Sequence, residues 1–268
     1  MTRRRNSKLN NNKSPVKFFL LVFVLSIPFW ILAAVAPDFT EILPIKLPIS
    51  ALMTFCPLVA AAILVYTERK FQGVWELLKL SFDFEKIKDK KWYLPIVFLM
   101  PVIALLSYGY LKLTGAMLPE PETPLLYIFI FFFVFFIGAI GEEIGWSGYV
   151  TDPLQNRYGA LKASIILGFV WAIWHIIAWS QAHQTPIWIV WQSIGSIFLR
   201  VIMVRIFNNT GKSVFAMILF HTTINLSMFL IPNYGSHYDP FIFCILLIIT
   251  AMAITFLPGT KTEAFTKL

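Results

Sequence analysis

The sequence predicts an all-α, polytopic membrane protein of about eight transmembrane helices with both termini cytoplasmic. The first reason is composition: 268 residues, 58% hydrophobic, 16% aromatic and 13% charged, with a mean hydropathy of +0.73, far from a soluble domain. The second is that the apolar stretches are continuous and of bilayer-crossing length, about 17–25 residues, whereas barrel strands would alternate. The third is that Lys and Arg gather in alternate connections, the asymmetry of cytoplasmic loops.

Taken in order, the first span, 17–36, follows Arg3, Arg4, Arg5, Lys8 and Lys13, so residues 1–16 read as a basic flexible tail. That basic start and the "AVA" at 34–36 resemble a signal peptide, but the apolar stretch exceeds the usual core of about 7–15 residues and reads as an anchor. The second span, 48–66, leads into the longest connection, 67–91, with Arg69, Lys70, Lys79, Lys86, Lys88, Lys90 and Lys91. Its "VWELLKLSF" predicts a short amphipathic interfacial helix. The third span is 92–113. The fourth, 124–149, runs through "YIFIFFFVFFIGAI" into "GEEIGWSGYV". Arg157 and Lys162 separate it from the fifth, 160–180. The sixth, 187–206, carries Arg200 and Arg205 near its inner end. The seventh, 213–231, follows Lys212, and the eighth, 240–257, precedes Lys261 and Lys267. The opposite connections hold only Lys46 and Lys112 near their helix ends.

The chain, 1–268, therefore reads as one integral membrane domain, without a repeat or a soluble domain. The loops account for the net charge of +8, with anionic lipid head groups as counter-charge and nucleic acid excluded as a partner. Cys56 and Cys244 fall inside helices and read as packing residues.

Polar groups inside a membrane are costly and mark function. They are Glu142 and Glu143 in the fourth span, His175 in the fifth, Arg200 and Arg205 in the sixth, and His221 and Asn225 in the seventh. Arg205 is close enough to the helix end to snorkel. Adjacent Glu142 and Glu143 point about 100° apart, whereas His221 and Asn225, four apart, share a face. Counted from the predicted helix ends, Glu142 and His221 lie about 12 Å deep and His175 nearer 20 Å.

These groups suit hydrolysis. A buried carboxylate can take a proton from water, and imidazole and amide groups can donate to the oxyanion formed on a peptide carbonyl. Glu142, His175 and His221 could alternatively hold zinc, which takes three protein ligands plus water in catalytic sites. The spacing does not choose between them, although the soluble H-E-x-x-H signature is absent. His183 and His237 read as solvated loop residues. Trp146, Trp171 and Trp174 read as packing aromatics, with Trp146 placed to line the same cavity.

The blocks "EEIGWSGY", "FVWAIWHI" and "FHTTIN", on three elements between about 125 and 230, resemble the CPBP family of intramembrane proteases, which includes CAAX prenyl endopeptidases and bacterial Abi-type immunity proteins. The resemblance implies an intramembrane endopeptidase in a bacterial cytoplasmic membrane. Glu142 would activate water, Glu143 would orient the site, His175 and His221 would position water or support the oxyanion, and Asn225 would complete the oxyanion hole. Its substrate would be a membrane-embedded or membrane-associated peptide or protein. Two positions depart from the family pattern: Trp171 stands where Phe is usual, and Ser147 where an Arg would pair with Glu143. Arg200 is a candidate replacement; otherwise Glu143 stays protonated, or the chain is an impaired relative that binds, as a bacteriocin-immunity protein would. "GWSG" at 145–148 also admits a rhomboid-like Ser147–His221 dyad, and the buried acids and histidines admit a proton-coupled transporter.

Overall fold

The computed structural model describes residues 14–35 and 49–256. Most of the expected basic tail, Lys46, Lys261, Lys267 and the end of the "AVA" stretch lie outside them. Among the described residues every regular element is helical: α1 (Pro15–Val35), a 3₁₀ segment (Ile49–Phe55), α2 (Cys56–Lys79), α3 (Tyr93–Leu113), α4 (Leu125–Gly145), a π-helical turn (Trp146–Val150), α5 (Thr151–Tyr158), α6 (Ala160–Gln181), α7 (Pro186–Asn209), α8 (Val214–Phe229) and α9 (Pro240–Phe256). Six of these stretches are long and apolar enough to cross a membrane; α8 and α9 are shorter and apolar. Together they match the eight spans read from the sequence.

α7 packs between α6 and α9, α4 packs against both α2 and α8, and α3 covers α8. α1 packs within this assembly. Trp174 Nε1 of α6 donates to Ser26 Oγ at 2.8 Å, and Gln181 Nε2 donates to the Trp30 carbonyl at 2.8 Å. Cys56 and Cys244 are free and buried, as expected.

Three expectations change. The fourth span does not end near Val150, because the π turn carries the helix on into α5. There Thr151 Oγ1 donates to the Trp146 carbonyl at 2.7 Å, and the chain reverses at Gly159 (φ 78°). Glu142 and His175 then lie nearly the same number of residues before and after the reversal, which removes the apparent difference in depth. Secondly, "VWELLKLSF" is helical, but mainly as the end of α2 beyond a break at Lys70 (φ 52°, ψ −154°), with Phe71 and Trp75 exposed. Thirdly, Arg205 does not snorkel: it is 2% exposed, because α7 is the most enclosed of the long spans.

Two close approaches position the site. A Cβ on Gly141 would stand 2.7 Å from the Thr54 carbonyl oxygen, and one on Gly145 2.5 Å from that of Pro57, so bare glycine lets the 3₁₀ segment and α2 lie against α4. A Cβ on Gly168 of α6 would lie 2.7 Å from Ile197 Cα of α7, a contact that brings Arg200 inward. The N-terminus of α8 is held by Asp83, whose carboxylate accepts from Ser213 Oγ (2.8 Å), Phe215 N (3.0 Å) and Val214 N (3.3 Å). This acidic cap satisfies otherwise unpaired N–H groups and complements the helix dipole, fixing the helix that carries His221.

Candidate active site

At the end of α4 the backbone turns two adjacent carboxylates toward different neighbours. Glu143 faces α7 and α8 and is fully buried. Arg200 grips it with both terminal nitrogens, Nη1 to Oε2 at 2.9 Å and Nη2 to Oε1 at 2.8 Å. His221 Nδ1 meets Oε1 at 2.9 Å, and Ser147 Oγ, one turn along, donates to Oε2. The position that the resemblance assigns to Arg is thus filled from another helix. A bidentate arginine is the strongest geometry for a buried carboxylate.

Glu142 faces the other way and meets only neutral donors. Trp171 Nε1 of α6 donates to Oε2 at 2.8 Å, and Thr54 Oγ1 of the 3₁₀ segment lies 3.2 Å from Oε1 and 3.1 Å from the Gly138 carbonyl oxygen. It is 6% exposed.

His175 lies one turn beyond Trp171 on α6, with Nδ1 2.8 Å from the Trp171 carbonyl oxygen and its ring stacked on Trp179 at 5.2 Å. A carbonyl only accepts, so Nδ1 carries the proton and Nε2 is the basic nitrogen. For His221 the same reasoning makes Nδ1 the donor to the Glu143 carboxylate. Asn225 is half-buried one turn further along α8.

The residues brought closest differ from the zinc set read from the sequence. One ligand atom from each of Glu142, Glu143 and His221 lies within 4.8 Å of the others; Glu143, not His175, is the third member. Trp146, expected at the cavity, packs edge-on against Phe18 (5.3 Å) and Trp174 (5.6 Å), the role of an aromatic in a helix contact. Ser147 gives its hydroxyl to Glu143 rather than to His221.

Two contributors were not assigned site roles from single residues. Thr54 is 88 positions from Glu142 and sits in a stretch whose composition gives no polar signal. Trp171 read as a packing aromatic, yet its indole N–H reaches Glu142. The signal available for it was its place one turn before His175.

Residues 124–227 match the family described as type II CAAX prenyl endopeptidase Rce1-like. That stretch contains Glu142, Glu143, Trp171, His175, Arg200, His221 and Asn225. The chain is also similar to a protein named CAAX prenyl protease 2 from Methanococcus maripaludis. The two are 27% identical over 235 residues, which cover 80% of this chain and 83% of that relative.

Proposed function

Since the chain belongs to the CPBP family of intramembrane proteases, we propose that it cleaves peptide bonds of membrane-embedded or membrane-associated proteins by a glutamate-activated water. The site opens toward the cytoplasmic side of a bacterial cell membrane, an orientation that rests on the basic loops.

In this reading Glu142 takes a proton from water, and the His175 Nε2 lone pair accepts water's second hydrogen bond. The oxygen attacks the peptide carbonyl carbon. Asn225 donates to the oxyanion, and His221, held through Nδ1 by Glu143, helps to position water or supports the oxyanion. Glu142 returns the proton to the departing amine, so that the products are a new carboxylate and a new amine. Glu143 stays ionised beside Arg200 and holds His221 by Nδ1.

The observation that carries this reading is the unlike satisfaction of the two acids. Glu143 is met by Arg200, His221 and Ser147, whereas Glu142 keeps the Trp171 N–H and shares the single Thr54 hydroxyl proton with the Gly138 carbonyl, neutral partners that orient it without adding a counter-charge. The same contacts favour the glutamic form over zinc, because an arginine fork on Glu143 competes with any cation there and His175 is not among the clustered ligand atoms. The impaired-relative reading rested on Glu143 lacking a cation, which Arg200 supplies. The Ser–His dyad loses support because the Ser147 hydroxyl is given to a carboxylate.

The test is cleavage of a quenched peptide library, prenylated and unprenylated, by the purified protein in detergent, with and without a chelator. Cleavage that survives both the chelator and Ser147→Ala is expected. Loss with chelator and recovery with added zinc would establish the metal form; loss in Ser147→Ala would establish the serine form.

A further inference from the structure

Trp171 touches more of the site than any packing role requires. Its indole N–H donates to Glu142 Oε2 at 2.8 Å, and its carbonyl receives His175 Nδ1 at 2.8 Å. Its ring meets the rings of His175 at 4.9 Å and His221 at 5.6 Å, both nearly perpendicular. Over its face, 4.3 Å from the ring centroid, lies the Arg200 guanidinium, and the same guanidinium grips Glu143. Trp171 is 5% exposed and Arg200 1%, so water does not screen their contact. Among the described residues Arg200 Nε has no hydrogen-bond partner. The orientation of the guanidinium is therefore set by one carboxylate fork and one aromatic face.

We propose that Trp171 and Arg200 form a single positioning clamp that fixes Glu142 and Glu143 relative to one another. Indole N–H aims the first carboxylate, guanidinium aims the second, and the stacked cation joins the two aims. Each acts through a glutamate carboxylate, Trp171 on Glu142 and Arg200 on Glu143. Phenylalanine at 171 would keep the aromatic face and lose the aim on Glu142; lysine at 200 would keep the charge and lose the planar fork. An arginine at position 147, in the π-helical turn four residues after Glu143, would pair with that carboxylate within its own helix. The stacked cation follows from placing the charge on α7, where Arg200 lies over the indole. This inference rests on the proposed role of Glu142, but its structural half does not.

The experiment is a double-mutant cycle of Trp171→Phe and Arg200→Lys in the purified full-length protein in detergent. It reads thermal midpoint, kcat and KM. Trp171→Phe is expected to lower kcat about 10-fold, the worth of one lost hydrogen bond, with KM within about twofold and a midpoint lowered by a few degrees, enough to score additivity. The double variant is expected to lose no more kcat than the worse single variant, and the midpoint losses are expected to be non-additive. Unchanged kcat in Trp171→Phe, or multiplicative losses in the double variant, would overturn the clamp. If the wild type cleaves nothing, the reading of Glu142 fails separately, and the midpoints still decide the clamp: additive losses overturn it.

Discussion

Glu142 and Glu143 are chemically identical neighbours in two unlike regions. On the 3₁₀–α6 side, Glu142 meets an indole and a hydroxyl; on the α7–α8 side, Glu143 meets a guanidinium, an imidazole and a hydroxyl. The helix produces this division, because consecutive side chains diverge by about 100°. A carboxylate paired with a buried arginine is a fixed structural charge, whereas one held by neutral donors keeps its capacity to accept a proton. In the proposed mechanism the pair thus divides stability from chemistry between two adjacent positions.

The largest effect is expected from breaking the α7–α8 side. Arg200→Leu leaves Glu143 buried without its main counter-charge and should cost about 3–5 kcal/mol, read as a fall in thermal midpoint in detergent. Removing Asn225, the proposed oxyanion donor, should act on rate rather than on stability. Asn225→Ala is expected to lower kcat by about 10²–10³-fold with little change in midpoint. A loss confined to KM would move Asn225 from transition-state support to substrate binding.

On the 3₁₀–α6 side, Gly141→Ala drives a methyl group into the Thr54 carbonyl and should cost about 1–3 kcal/mol, with cleavage falling because Thr54 shifts from Glu142. Thr54→Val keeps the shape and removes one donor. A fall in kcat of up to about 10-fold is expected, and Thr54→Ser should recover most of it. The smallest effect is expected from Ser147→Ala, since Arg200 and His221 still satisfy Glu143; kcat within a few-fold of wild type would sharpen the contrast with Glu142.

The eight apolar spans were legible because bilayer thickness imposes a length that composition reveals. The polar residues were legible because each is costly among aliphatic and aromatic neighbours, and the need of Glu143 for a cation pointed to Arg200. What the sequence did not reveal depends on contacts distant in the chain. Thr54 reaches Glu142 only because Gly141 and Gly145 admit another backbone, a fact no local pattern records. The end of the fourth span was misplaced because a π turn leaves no compositional mark, and the polar "TDPLQNRY" that follows reads as loop although it is α5. The zinc set included His175 because chemistry alone groups the histidines, whereas the ring is turned onto Trp171 and Trp179.

The most direct test compares Glu142→Gln with Glu143→Gln in the same detergent preparation, reading cleavage rate and thermal midpoint together. The account predicts that Glu142→Gln loses about 10²–10⁴-fold in kcat, the range for a removed general base, and melts near wild type. It predicts that Glu143→Gln loses several degrees of midpoint because Arg200 is left without its counter-charge. A Glu142→Gln protein that cleaves at the wild-type rate, or a Glu143→Gln protein as stable as wild type, would contradict the division of roles.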